Sequence, residues 1–169
     1  EFSAWGVSPD LRLKPEIAAP GGEVFSSIPG GAYEQSSGTS MATPQMAGVS
    51  TIVLQRVQSD PLFASMSARQ KADVVQNLIM GTARPLTDAA QTTGALYSPR
   101  KQGAGLVDAL AATTSSVYPT VVGAPEQSRP KADLGDGTKG WHFDVTLHNL
   151  SGVPATYELS SQALSEIVD

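Results

Sequence analysis

Residues 38 to 48 read Gly-Thr-Ser-Met-Ala-Thr-Pro-Gln-Met-Ala-Gly, a run of small residues that leads into a helical pattern. From Met41 to Val57 the apolar residues Met41, Met46, Val49, Ile52, Val53 and Val57 recur at helical spacing. Ala42, Ala47 and Gly48 between them are small enough for close packing, so this helix is expected to be buried on most sides. Pro44 falls in its first turn, where the hydrogen bond it forgoes would have gone to the carbonyl of Ser40. The disturbance therefore stays at the helix entrance. Ser40 stands at a loop-to-helix junction that presents Oγ outward, beside unpaired backbone N–H groups and the positive end of the helix dipole. A serine hydroxyl so placed attacks a carbonyl if a base takes its proton and the N–H groups receive the oxyanion.

Upstream of this run, Leu13 to Ala19 is closed by Pro20-Gly21-Gly22, and Val24 to Ile28 by Pro29-Gly30-Gly31. Both read as short strands punctuated by turns. No apolar strand is legible in Gly30 to Ser37. Downstream, Ser67 and Gln70 have capping-box spacing, Ala68, Ala72, Val75 and Ile79 follow one face with Leu78 beside them, and Gly81 is the stop. A packing helix is expected there. A shorter helix is expected over Leu106 to Ala112, entered through Gly103-Ala104-Gly105, and Pro85 to Lys101 reads as an irregular surface loop.

Near residue 115 the rhythm changes from a mixed α/β pattern to alternation. Trp141, Phe143, Val145 and Leu147 alternate with His142, Asp144, Thr146 and His148, which predicts a half-buried antiparallel strand with its apolar face inward. Ala155, Tyr157 and Leu159 repeat the pattern after Ser151-Gly152-Val153-Pro154, and Val117 to Val122 supplies a third candidate strand. Ala124 to Gly140, rich in Pro, Gly and charge, reads as a long exposed loop. Two units are expected: an α/β unit over residues 1–114, and the start of a β-sandwich over residues 115–169.

Composition narrows the functional classes. With 40% apolar and 16% charged residues, the 169-residue chain is globular, and no apolar run approaches the roughly 20 residues that span a bilayer. A formal charge of −5, with 11 Lys and Arg scattered singly, offers no basic stripe for nucleic acid. The absence of cysteine excludes disulfides and thiolate metal sites. Asp133 and Asp136, near Gly135 and Gly137, lack the spacing of a twelve-residue calcium loop and read as a polar turn. No cofactor is expected in this chain. It opens at Glu1-Phe2-Ser3 without Met or an apolar leader, so targeting signals are expected to lie outside it.

Three stretches, in order, carry a resemblance. Phe2-Ser3-Ala4-Trp5-Gly6 with Lys14-Pro15-Glu16-Ile17-Ala18-Ala19-Pro20-Gly21 is similar to the segment preceding the nucleophile in subtilisin-like serine proteases (subtilases). Gly38 to Gly48 is similar to their serine motif, and Gly103-Ala104-Gly105-Leu106-Val107-Asp108-Ala109 to a helix that often closes the catalytic domain. The alternating strands that follow resemble the fibronectin-like domain of large cell-envelope subtilases of Gram-positive bacteria, the lactocepin and C5a-peptidase type. The resemblance implies the C-terminal portion of a three-layer α/β/α catalytic domain followed by an incomplete fibronectin-like sandwich. It also implies a secreted or cell-wall serine endopeptidase acting on protein or peptide substrates, with Ser40 as the nucleophile. A structural calcium in the parent enzyme has no support in these residues.

By the same resemblance the amide of Ser40 is one oxyanion donor, Gly38 shapes the nucleophile loop, and Ala42 fits where bulk would crowd the turn. Met41 packs beneath the nucleophile, where oxidation to the sulfoxide would disturb the site. Thr39 either assists the oxyanion hole through its hydroxyl or serves as a turn residue. Gln45 stands where many subtilases carry a histidine that is not the triad base, and a structural role at the helix surface is expected for it. No histidine and no asparagine precedes Ser40, so the triad Asp and His and the second oxyanion donor are expected in an N-terminal part of the catalytic domain. The chain alone is expected to be inactive. Two other readings use only residues present: a non-catalytic structural or binding module, and the α/β-hydrolase order Ser40, Asp108, His148. Against the latter, Gly38-Thr39-Ser40-Met41-Ala42 ends in Ala where that elbow has Gly, and His142 and His148 read as solvated strand residues.

Overall fold

The computed structural model describes residues 3–9, 12–88, 94–122, 129–132, 140–162 and 164. Its longest element, helix α1 (Thr39–Ser59), starts on the carbonyl of Gly38, which accepts from the N–H groups of Met41 and Ala42 at 3.0 and 3.4 Å. It ends at Asp60, whose carboxylate accepts from Leu62 N–H at 3.0 Å and opens a 3-10 turn over Pro61–Phe63. That turn drives Phe63 into the core. Helix α2 (Ala68–Gly81) follows with the expected capping box: Ser67 Oγ accepts from Gln70 N–H, and Gln70 Oε1 accepts from Ser67 N–H. Such a cap is worth about 1 kcal/mol. The helix stops at Gly81, where a Cβ would lie 2.7 Å from the Pro119 ring.

The core lies between these two helices. Val53 and Val57 of α1 meet Val74, Val75, Leu78 and Ile79 of α2, and Phe63, Ala112 and Tyr118 close the cluster. Only Val53 and Val57 of α1 are buried, which corrects the expectation of a helix covered on most sides. Ile52 is 53% exposed, because no element among the described residues packs on that side.

Two short helices follow, α3 (Pro99–Gln102) and α4 (Ala109–Thr114). Helix α4 begins three residues later than the expected Leu106, because the backbone of Gly105–Val107 is used otherwise. Leu106 exchanges hydrogen bonds with Arg84 at 2.7 and 2.9 Å, while Ala18 donates to Gly105 O at 2.8 Å and accepts from Val107 N–H at 2.9 Å. The strand expected over Leu13–Ala19 is reduced to this single parallel bridge between Ala18 and Leu106. Asp108 then caps α4, accepting from Ala111 N–H at 2.9 Å. Arg56, from the last turn of α1, donates to the carbonyls of Ala112 and Ser115 at the other end. A guanidinium there satisfies carbonyls the helix leaves open and opposes the negative end of its dipole.

Strands β1 (Val24–Ile28) and β2 (Ala32–Ser36) form an antiparallel hairpin with Val24 opposite Ser36. β1 was expected; β2, with the polar sequence Ala-Tyr-Glu-Gln-Ser, was not, since it is exposed nearly throughout and has no apolar alternation to announce it. The hairpin carries a stacked pair, Phe25 and Tyr33, with ring centroids 5.6 Å apart.

Strands β3 (Val117–Val122) and β4 (Asp144–Asn149) pair antiparallel, with Tyr118 opposite His148 and Thr120 opposite Thr146. Tyr118 is buried in the core, and the imidazole of His148 stacks on it at 4.5 Å while Nε2 lies 2.9 Å from Thr120 Oγ1. Burial holds the His148 pKa below its ordinary value. Within β4 only His148 is partly buried. Trp141, Phe143, Val145 and Leu147 are each about half exposed, so the apolar face expected inward is not covered by the described residues. The ribbon packs on the core by the ring of Tyr118, and the register brings His148 against that ring. Ala155, Tyr157 and Leu159 form no strand. The loop expected over Ala124 to Gly140 and the turn at Asp133 and Asp136 fall mostly outside the described residues.

Glu16 ties the 129–131 segment to helix α2. Its Oε1 meets Lys14 Nζ at 3.0 Å, Arg129 Nη1 at 2.6 Å and Lys131 Nζ at 3.1 Å, and Oε2 accepts from Gln76 Nε2 at 3.2 Å. Burial alone would raise the carboxyl pKa, but the hydrogen bonds from Lys14 and Lys131 and the charges of Arg129 and Lys131 outweigh it and hold it at about 2. A folded-state pKa below the unfolded value contributes stability that is present above pH 4.5 and is lost as pH falls toward 2. Glu16→Gln is expected to cost ~2 kcal/mol at pH 7, leaving three cations around a neutral amide. Urea unfolding at several pH values checks this: the gap between variant and wild type should close between pH 4.5 and 2, and a pH-independent gap would count against it.

Candidate active site

The chain reaches Ser40 through a constrained approach. Gly38 N–H donates to Gly21 O at 2.7 Å, so the Pro20-Gly21-Gly22 turn lies directly against the loop before the serine. A Cβ on Gly21 would sit 2.6 Å from Gly38 O and 3.2 Å from the Ala42 methyl. Glycine at 21 and alanine at 42 are a matched pair of small residues, and the sequence showed the first only as part of a turn.

Ser40 itself is exposed, on the first turn of α1. Its N–H makes no hydrogen bond among the described residues, as befits one of the four unpaired donors that open a helix. Pro44 removes the donor that would otherwise hold the Ser40 carbonyl. Thr39 is exposed, and its carbonyl accepts from Thr43 Oγ1 at 2.9 Å. Met41 is half-buried, with its sulfur close to the Gly38 backbone. Gln45 is half-buried as well. On one side of the helix start a cleft of about 680 Å3 runs between Thr39, Ala42, Thr43 and Met46 and the Ala18–Ala19 backbone. Lys101 reaches its rim, with Nζ 3.7 Å from the Trp5 ring centroid.

Asp108 and His148 are engaged elsewhere. Asp108 caps α4 and pairs with Arg84 at 3.2 Å, and His148 is held between Tyr118 and Thr120. No hydrogen bond joins Ser40, Asp108 and His148 among the described residues. His148 is also not the solvated strand residue that alternation implied. No group of three His, Cys, Asp or Glu side chains among the described residues is arranged to hold a metal ion, and no described helix is long and apolar enough to cross a membrane.

The site as drawn is an exposed serine at the mouth of a helix, with an unbonded amide and a small-residue turn packed behind it. Residues 1–105 match the family model for Peptidase_S8, the subtilase family, and the chain belongs to that family. Among characterised proteins it is 32% identical over 168 residues to the C5a peptidase of Streptococcus pyogenes, a match covering 99% of this chain and 14% of that protein. It is 33% identical over 168 residues to the PII-type proteinase of Lactococcus lactis subsp. cremoris, covering 95% of this chain and 9% of that protein. The chain thus spans a small fraction of the length of these relatives. Among solved structures, the prenylagaramide maturation protease PagA aligns with a TM-score of 0.47 at 28% identity, over 66% of this chain and 36% of that one.

Proposed function

We propose that this chain is the nucleophile-bearing, C-terminal portion of the catalytic domain of a subtilisin-type serine endopeptidase, in which Ser40 forms the acyl-enzyme. The observation that carries this is the exposed Ser40 with its unbonded amide at the start of α1, inside the stretch that matches the subtilase family. Ser40 Oγ attacks the substrate carbonyl and the Ser40 amide receives the developing oxyanion. Gly38, Thr39, Met41 and Ala42 shape the loop and first turn that present them. The general base and its orienting carboxylate come from the N-terminal part of the catalytic domain, which also supplies the second oxyanion donor and most of the cleft walls.

In this proposal residues 1–114 complete a three-layer α/β/α domain and residues 115–169 begin a fibronectin-like sandwich. The half-exposed Trp141, Phe143, Val145 and Leu147 then face a second sheet. The substrates are proteins or peptides, and the enzyme is secreted or attached to the cell wall, as the similarity to streptococcal and lactococcal proteinases supports.

A fluorophosphonate probe tests the proposal. Labelling of Ser40 is expected in the full-length protein and to be at least ~10³-fold slower in the 169-residue chain, which has no base to activate the hydroxyl. Comparable rates in the two would refute the dependence on an upstream base. An unlabelled full-length protein would favour a non-catalytic module, and labelling abolished by His148→Ala would favour the hydrolase order.

A further inference from the structure

The root of the β1–β2 hairpin and the nucleophile loop are joined by a polar clamp that the motif does not include. Ser37 Oγ accepts from Glu23 N–H at 2.8 Å, and Gln35 Nε2 donates to Glu23 O at 3.3 Å. Beside them, Gly38 N–H donates to Gly21 O at 2.7 Å. Glu23 has φ of 52°, the one positive value at a non-glycine among the described residues. That conformation costs of the order of 1 kcal/mol in a residue with a Cβ and persists where surrounding contacts over-determine it. Here the contacts are those of Ser37 and Gln35, on both polar groups of the Glu23 backbone.

The geometry points to Ser37 as a positioning residue for the nucleophile, an inference that rests on Ser40 being that nucleophile. Ser37 is three residues before Ser40 and adjoins Gly38, whose carbonyl carries the first hydrogen bonds of α1. Fixing Ser37 to the left-handed backbone of Glu23 therefore fixes the direction in which the chain enters the helix. With it go the direction of the Ser40 amide and the placement of Ser40 Oγ. No substrate contact by Ser37 is required. Displacement of a reacting group by a fraction of an ångström is felt in the rate, while ground-state binding, built from other walls of the cleft, is left in place.

In the full-length protein, Ser37→Ala is expected to lower kcat for an amide substrate roughly tenfold and the rate of fluorophosphonate labelling by a similar factor. KM should stay within about twofold and Tm within about 3 °C, because Ser37 is exposed and its hydroxyl touches nothing in the core. Ser37→Thr, which keeps the hydroxyl, should restore kcat to within about threefold. Unchanged kcat in Ser37→Ala, a rise in KM alone, or failure of Thr to rescue would overturn the assignment. A full-length protein whose Ser40 is not labelled at all would bring down the protease reading and this inference with it. A labelled Ser40 indifferent to Ser37 would remove the clamp alone.

Discussion

Ser40→Ala in the full-length protein is expected to lower kcat for a peptide amide by on the order of 10⁶, with KM changed by no more than about threefold. That magnitude is the one known for subtilisin, and it applies here on the proposal that Ser40 is the nucleophile. The physical reason is that the methyl cannot attack, so hydrolysis falls back on water activated by whatever remains of the site. What remains is real, because the Ser40 amide belongs to the backbone and survives the substitution. Stability should be nearly untouched. Ser40 is exposed, its side chain makes no hydrogen bond among the described residues, and α1 starts on Gly38 O whatever occupies position 40. A Tm within about 2 °C of wild type, with the loss of rate, separates a lost nucleophile from a lost fold. A variant retaining more than about one per cent of kcat would mean that the acyl group is carried elsewhere.

Gly105→Ala is expected to have a large effect on stability, ~3 kcal/mol or more by urea unfolding. Gly105 has φ of 123°, and a Cβ built there would lie 2.4 Å from Arg84 O, 2.5 Å from Arg84 C and 2.7 Å from Pro85 N. These are backbone atoms and cannot swing aside as the end of a side chain would. They also belong to the reciprocal Arg84–Leu106 pair, and Gly105 O itself receives Ala18 N–H. A shift at 105 therefore strains three chain segments at once. Gly30→Ala is the control: φ is 91°, also unfavourable for a side chain, but nothing lies within 4 Å of the added methyl. It should cost ~1 kcal/mol and leave the core transition intact. Equal effects at 30 and 105 would show that backbone conformation, and not the close approach at Arg84, sets the cost.

Local chemistry wrote some of the fold into the sequence directly. The capping box at Ser67 and Gln70, the helix running from Thr39, the strand at Val24 and the stop at Gly81 each depend on residues within one or two turns of one another. What failed to be legible depended on distant partners. The late start of α4 follows from backbone bonds between Gly105–Val107 and segments near Ala18 and Arg84, and no residue within Leu106 to Ala112 announces them. β2 has no apolar face, so only its pairing with β1 defines it.

The candidate site divides in the same way. Ser40 and its small neighbours could be proposed from the sequence because they stand in one run of eleven consecutive positions, from Gly38 to Gly48. Ser37, Glu23 and Gly21 could not, since a serine hydroxyl in a loop gains meaning only when the amide 14 residues away is found against it. His148 shows the opposite error. Alternation reads it as solvated, but it is partly buried against the ring of Tyr118, which stands opposite it in the register and thirty residues earlier.

By itself, then, the sequence determined the mixed α/β character, the family and the two long helices that carry the core, and it supplied the proposal for the nucleophile. Periodicity, capping and motif are short-range constraints, and one strand of text contains them. Only the tertiary structure decided which faces are covered, how Glu16 gathers Lys14, Arg129 and Lys131, and what fastens the loop before Ser40. Those outcomes depend on desolvation and on distances between residues up to 115 positions apart, which no local pattern encodes.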